Sequence, residues 1–549
     1  MDNAPEPPST AKIAGWKTWY PMDGAKDARD DSQAGQTQIK TSSSALDAVW
    51  ELCRYTGRIG AMDVNTDSNA RQRDNCNVDS HITAMHQAAA APLASARYRR
   101  RNAAFLFEPD AHVHPWSEFK LFSIGAVHEY TLDTGDVSLA NETFDEMVAH
   151  YSLTQFIDHT DGLVHKPPSV GIPHGLPTQK TNDAQYYYQV YQDLIDWPNA
   201  VDALNPPGFA EGETCCKDGH EGSNITTAIN GHVAHAHRRL ADMARWIGRP
   251  AAEAARFDAL ADGIVRGLRE MKVGGAASDI QCVPAAPACF VDGLGLPAPD
   301  AKAPNISLTT PIKHTSVQAS IFVAGCGLLP PSEALELLPF LKAKTARFPL
   351  FSAMASNFML EALYRAATAD LTTEAADFAY EILTRSGHRS WLEMIEHNAT
   401  MAIEHWYGTS IEKHTWSHPW SASPARIIPQ WLLGVRPLDL AWRRVAVHPQ
   451  PGSKLTQASM RVPTMRGEIV LEYTKEDGGF TLALSVPGNT AAEVCLPAGL
   501  IAAKKPVVTV NGAAAPVAVP DGRPGQWCLL GELGGGAHHI VAGQAGGRP

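Results

Sequence analysis

The stretch Met394–Leu438 crowds carboxylates, imidazoles and indoles into one short polar-aromatic segment. Indole faces can cover the apolar face of a pyranose ring, while carboxylates and imidazoles bond its hydroxyls and move protons. Glu404 is the first candidate for a catalytic carboxylate, with His418 and Trp420 as candidate sugar contacts. Taken singly, each of these residues is equally well explained as part of a satisfied core. Their density is what points to a site.

A second dense segment runs from Asp63 to Asp79 and holds Asp67, Arg71, Gln72, Arg73, Asp74 and Asp79. Four carboxylates and two arginines in a loop-like stretch exceed what a solvated turn needs, although a surface salt-bridge loop is the plain structural alternative. Further along, Asp196-Trp197-Pro198 places an indole beside a carboxylate, which suits one wall of a sugar subsite or, equally, a helix cap and a core tryptophan. Trp116 precedes Ser117 and Glu118; Glu118 reads as a helix-capping residue rather than a catalytic one.

Three linked elements carry a family resemblance. Asn398–Trp406 resembles the GATTxWExW element of the α-L-rhamnosidases of glycoside hydrolase family 78; His414–Ala425 resembles the (S/D)xNHxWxxxPA element, and Leu433–Pro437 the LGxRP element. Weaker similarities place Leu194–Pro198, His314–Ser320, Ser386–Trp391 and Val462–Glu468 in the same frame, from about Thr41 to Glu472. The resemblance implies an (α/α)6 barrel over 41–437 followed by a C-terminal antiparallel β-sandwich over 438–549, with 1–40 a tail or the remnant of an upstream β-domain. It implies an inverting hydrolase releasing terminal L-rhamnose from oligo- or polysaccharides or rhamnosylated glycosides, with Glu404 as the base that activates water. Asp67, Arg71, Asp196 and His418 would then bind hydroxyls, and Trp116, Trp197 and Trp420 would pack on ring faces.

One departure matters. Counting from Asp67 and from Asp79, the position of the family's general-acid glutamate falls on Gln72, and glutamine cannot donate a proton to a leaving oxygen. Asp74 and Asp79 are the neighbouring carboxyls that could serve instead. A non-hydrolytic rhamnoside-binding descendant is therefore the main alternative, and a polysaccharide lyase or uronyl hydrolase on the same toroid is another. No metal or organic cofactor is demanded, although an acidic loop could hold an adventitious Ca²⁺.

The elements that must position these residues show in the periodicity. Helical patterns cover Ser42 to Tyr55, then Ser117–Thr134, Asn141–Asp158, Asn224–Trp246, Ala251–Met271, Thr315–Leu329, Ser332–Thr345, Met354–Ala369 and Thr373–Thr384, without alternating strands between them. After Pro437 the pattern changes to short β-branched runs at Arg444–His448, Gly467–Tyr473, Phe480–Val486, Val507–Val510, Trp527–Leu530 and His539–Val541, with a hairpin signal at 475–479.

Whole-chain properties bound the partner. The 549 residues, 44% hydrophobic and 19% charged, describe an ordinary globular protein of about two domains. A net charge of −12 argues against nucleic acid or an anionic membrane as partner and fits a neutral carbohydrate. No apolar run is long enough to span a bilayer, no signal-like segment opens the chain, and localisation, linkage, aglycone and oligomeric state stay open. Nine cysteines show no zinc-like spacing, and Cys282 with Cys289 could close a small loop. The sequons at Asn141, Asn224, Asn305 and Asn398 would matter only in a secreted protein.

Overall fold

The computed structural model describes residues 35–543 apart from 62–63, 70–76, 109–116, 166–194, 197–219, 221–222, 275–279, 281, 283–285, 298–310, 348–352, 388, 405, 407–414, 477 and 504. Arg71, Gln72, Asp74, Trp116 and Trp197 lie outside the described residues.

Two kinds of helix appear, and their sequences say why. In α1 (Ser44–Ile59) Ser43 caps the N-terminus, its Oγ accepting from Leu46 N at 3.3 Å, and Leu46, Val49, Trp50 and Cys53 form a buried stripe. α7 (Ala251–Glu270) likewise buries Phe257, Ala261, Ile264 and Leu268 on one face and exposes the other. A 3.6-residue stripe of this kind belongs to an outer helix resting on something else. By contrast α4 (Ser117–Thr134), α6 (Thr227–Trp246), α8 (Val317–Gly325) and α11 (Ser356–Ala367) are buried on nearly all sides, as inner helices must be.

The inner helices contact one another in a cycle. α2 (Asn77–Ala90) packs on α4, α4 on α6, α6 on α8, α8 on α11, α11 on α14 (Pro424–Ile427), and α14 back on α2. α7 packs along α6, and α12 (Glu374–Thr384) along α11. Between α2 and α4 lies α3 (Pro92–Phe105), while α5 is Ser138–Glu146, α9 Pro331–Leu335, α10 Leu338–Arg347 and α13 Trp391–Glu396. No described helix is long and apolar enough to cross a membrane.

The C-terminal part is built from two main sheets. β1 (Gln38–Thr41), β8 (Gln457–Thr464), β9 (Gly467–Glu476), β10 (Gly479–Val486), β16 (Gly536–Gly543), β12 (Val507–Val510) and β13 (Ala513–Ala514) lie in the order β1-β8-β9-β10-β16-β12-β13. The second sheet runs β14 (Val517–Ala518), β15 (Gln526–Leu529), β11 (Ala491–Pro497), β7 (Arg444–Val447), β6 (Val435–Pro437). Pairing is antiparallel except for β7 with β11, which is parallel. The hairpin signal at 475–479 joins β9 to β10, with Gly478 in the left-handed region at φ 74°. Small pairs, β2 (Ser223–Thr226) with β5 (Gly293–Pro297) and β3 (Lys272–Val273) with β4 (Cys289–Phe290), decorate the helical part.

Helical and sheet parts are tied at several places, of which two stand out. Residues 38–41, which the sequence reading divides between a tail and the helical domain, form the edge strand of the larger sheet, with Gln38 opposite Arg461 and Thr41 opposite Ala458. Asp133, near the end of α4, accepts from Trp442 Nε1 at 2.6 Å and pairs with the buried guanidinium of Arg99 from α3. Cys282 and Cys289 are joined in a disulfide, as their spacing allows, and a second bridge, Cys495–Cys528, links β11 to β15; Cys53 and Cys326 are buried free thiols.

Candidate active site

Glu404 sits in the short irregular run between α13 and the turn at Pro419, and it is buried. Its position is fixed twice over. The backbone N–H of Glu404 donates to Thr415 O at 2.9 Å, and the carboxylate Oε2 accepts from Thr415 N at 2.8 Å and from Thr415 Oγ1 at 3.3 Å. The indole Nε1 of Trp420 donates to Glu404 O at 3.1 Å. Trp420 is itself 5% exposed and stacks on His418, with ring centroids 4.3 Å apart at 18°. The described contacts of Trp420 therefore hold Glu404 and His418 in place.

His418 links this segment to α2. Its backbone N donates to Ala402 O at 2.8 Å, and its Nδ1 lies 3.4 Å from Asp79 Oδ1. Asp79, which the sequence places in a loop-like stretch, lies in the first turn of α2. Beside it, Asn69 N donates to Ser417 Oγ at 3.2 Å, so the segment carrying Asp67 is stitched to the segment carrying His418 across 348 residues of sequence. From α2, His86 Nδ1 is 3.2 Å from Pro419 O and supports the same turn. Ala402 N donates to Thr56 Oγ1 of α1 at 2.8 Å.

Asp67 and Asp79 from one segment and Glu404 from another, distant in sequence, thus come together, all buried. Burial pushes the Asp79 carboxyl well above the ordinary carboxylate range, and the negative charges of Asp67 and Glu404 push it further up, against the opposing effect of a backbone hydrogen bond. A carboxyl so placed keeps its proton where a solvated aspartate has lost it.

A second group forms around Asp196. Its Oδ2 accepts from Gln318 Nε2 at 3.0 Å, in the first turn of α8. The preceding Ile195 has φ 61°, a left-handed conformation strained for a β-branched residue, and its N–H donates to Glu118 Oε1 at 2.9 Å. Glu118, read from sequence as a helix cap, is buried in the first turn of α4 and holds the chain in front of Asp196. Behind α8, Asp292 accepts from Ser316 N at 2.8 Å and lies 2.7 Å from His314 Nδ1. Thr415, Gln318, Glu118 and Asp292 are supporting residues that the sequence reading did not assign to the site. The burial of acids at helix starts is the signal that could have found Glu118.

Comparison with known proteins adds a family frame. Residues 178–432 match the family model described as the bacterial α-L-rhamnosidase 6 hairpin glycosidase domain, and 434–509 match the bacterial α-L-rhamnosidase C-terminal domain. An α-L-rhamnosidase of Alteromonas sp. (strain LOR) is 29% identical over 177 residues, 30% of this chain and 19% of the relative. One of Streptomyces avermitilis is 27% identical over 176 residues, 31% of this chain and 16% of the relative. Among solved structures, α-L-rhamnosidase from Dictyoglumus thermophilum aligns with a TM-score of 0.66 at 16% identity, covering 93% of this chain and 50% of that one. The Streptomyces avermitilis α-L-rhamnosidase complexed with L-rhamnose aligns with a TM-score of 0.63 at 18% identity, covering 92% and 42%. The matches span less than a fifth of these curated relatives' length, and the chain covers half or less of these two solved chains.

Proposed function

This chain belongs to glycoside hydrolase family 78, the α-L-rhamnosidases, and on that premise we propose that it hydrolyses terminal α-L-rhamnosidic bonds with inversion at the anomeric carbon. Glu404 is the general base in this reading. It takes a proton from water as the water oxygen attacks C1, the bond from C1 to the leaving oxygen breaks, and that oxygen takes a proton from a carboxylic acid on the other face of the ring. Such a pair works at roughly 6.5 to 9.5 Å, leaving room for the water.

Asp79 is the acid we favour over Asp74, because two carboxyls in environments that drive their protonation apart are what acid–base chemistry at one pH needs. The observation that carries this is the burial of Asp79 beside Asp67 and Glu404, which pushes its carboxyl above the ordinary range, while a Glu404 oxygen accepts two hydrogen bonds from Thr415. Asp67, Arg71, Gln72, Asp196 and His418 would bind sugar hydroxyls, with Trp116, Trp197 and Trp420 as aromatic walls. The helix cycle is the inner ring of an (α/α)6 barrel over 41–437, and the two sheets are a β-sandwich over 438–549 to which β1 and β6 add a strand each from outside those bounds. The partner is a carbohydrate with terminal L-rhamnose.

The test is Glu404→Gln assayed on an aryl α-L-rhamnoside. We expect kcat to fall by about 10³-fold, within the range a positioned base contributes, with KM little changed. Undiminished turnover would remove Glu404 from the mechanism. Gln72 favours a second reading, a site that binds rhamnosides without cleaving them; saturable binding by calorimetry with no released sugar from the unaltered chain would establish it.

A further inference from the structure

The lumen of the helix cycle holds a cavity of about 170 Å³ whose walls come from all six inner helices. Its lining runs on α4 from Leu121 to Glu129 and on α2 from His81 to Met85, and it includes neither Asp79 nor Glu404. Charged side chains share its lining with apolar ones such as Leu121, Phe122 and Phe358, whereas an ordinary core is filled by apolar side chains alone.

That charge does not cancel. Arg239 Nη2 pairs with Glu129 Oε1 at 3.0 Å, one cation to one anion. Glu361, however, is shared: its Oε1 accepts from Arg365 at 2.7 Å and its Oε2 from Arg426 at 2.5 Å. Burial would raise both carboxyls, but the guanidinium charges win and hold Glu129 and Glu361 below the ordinary range, so both are ionised. Arg238 and Asp242 also line the cavity, so four guanidiniums face three carboxylates there. Burial and the nearby Arg239 keep His81 and His232 neutral, His232 at about 3, so they add nothing to the positive side.

The cavity also offers donors. Arg239 Nη1 lies 3.5 Å from His81 Nε2, and since a guanidinium only donates, Nε2 accepts and the His81 proton sits on Nδ1. That Nδ1–H is buried and has no hydrogen-bond partner among the described residues, and the same is true of His232 Nε2. The fold makes room for this arrangement at Gly125, where any Cβ would overlap both the His81 ring and the Arg239 guanidinium. A cavity of this size has room for several waters or for one small tetrahedral anion.

We infer that this lumen is a binding site for a small oxoanion, held by Arg239, Arg426 and the His81 Nδ1–H, and separate from the carboxylate site at Glu404. The inference does not depend on the proposed hydrolytic activity.

The test is isothermal titration of the full chain with inorganic phosphate at constant ionic strength, using chloride as the control anion. We expect one phosphate per chain with a Kd tighter than about 1 mM. The charge-neutral double variant Arg239→Met/Glu129→Gln is expected to weaken binding at least ~10-fold, while Glu404→Gln leaves it unchanged. If the double variant does not fold, Asn357→Asp, which adds a negative charge to the lining, is expected to weaken binding in the same way. No phosphate binding by the unaltered chain would overturn the inference and leave the lumen as a water-filled polar cavity. Binding that survives these lumen substitutions, or that is lost in Glu404→Gln, would overturn it by placing the anion elsewhere.

Discussion

Asp79 and Glu361 are both buried carboxyls on inner helices of the same cycle, yet their surroundings act on them in opposite directions. Around Asp79, burial and the charges of Asp67 and Glu404 favour the protonated acid. Around Glu361, Arg426 and Arg365 overcome burial and favour the carboxylate. The difference separates two uses of buried charge. A carboxylate matched by guanidiniums is a structural tie, costly to cut on one side only. Acids buried against one another destabilise the fold locally, and such an arrangement persists where proton transfer is needed.

Substitution should expose the contrast most strongly at Glu361. Glu361→Gln leaves Arg426 buried without its carboxylate, and we expect a loss of about 3 kcal/mol in urea or thermal unfolding. The loss should vanish in acid: the lowered carboxyl contributes stability that is present above the unfolded-state value near 4.5 and disappears as pH falls through the folded value. Unfolding curves at a series of pH values check both points.

Asp79→Asn should behave in reverse. Turnover on an aryl rhamnoside is expected to fall about 10²-fold through loss of the acid, with the smallest loss on substrates whose leaving group needs least protonation. Stability should rise, by roughly 2 °C in Tm near neutral pH. The sign follows from a raised folded value: the native state holds its proton longer than the unfolded chain, so the wild type loses stability as pH climbs from the ordinary aspartate range toward the folded value, and the asparagine variant does not. A variant less stable than wild type at pH 7, and equally active, would remove the contrast.

The smallest expected effect is at Trp420. Trp420→Phe keeps a ring against His418 but removes the N–H donated to Glu404 O, and we expect kcat to fall about 5-fold, the equivalent of one hydrogen bond, with the fold intact.

How much of this was legible in the sequence depended on whether burial followed hydrophobicity. α7 and α12, and the strands from β9 to β10, showed clear periodicity and lie close to their expected bounds, as does α4 although it is buried nearly all round. α2 did not, because its buried face is polar: Ser80, His81, Thr83, His86 and Gln87 are all buried, and Gln87 spends its amide on Gly57 O and Asn65 Oδ1. α3 was hidden by its arginines, of which Arg99 is buried against Asp133. Glu404 stood out by residue type and density, His418 and Asp79 through the family resemblance, and the structure brings them together. The supporting groups were not visible, since Thr415, Glu118 and Gln318 act through backbone and amide contacts that leave no periodic trace. Arg71, Gln72, Asp74, Trp116 and Trp197 lie outside the described residues, and their roles rest on the family resemblance.

The pairing of Glu404 as base with Asp79 as acid is tested most directly by a proton NMR time course of the unaltered chain with an aryl α-L-rhamnoside, following the anomeric signals. We predict that β-L-rhamnose appears first and that the α anomer grows in only as the free sugar mutarotates. Release of α-L-rhamnose as the first product, or no release at all, would contradict a single displacement between these two carboxyls.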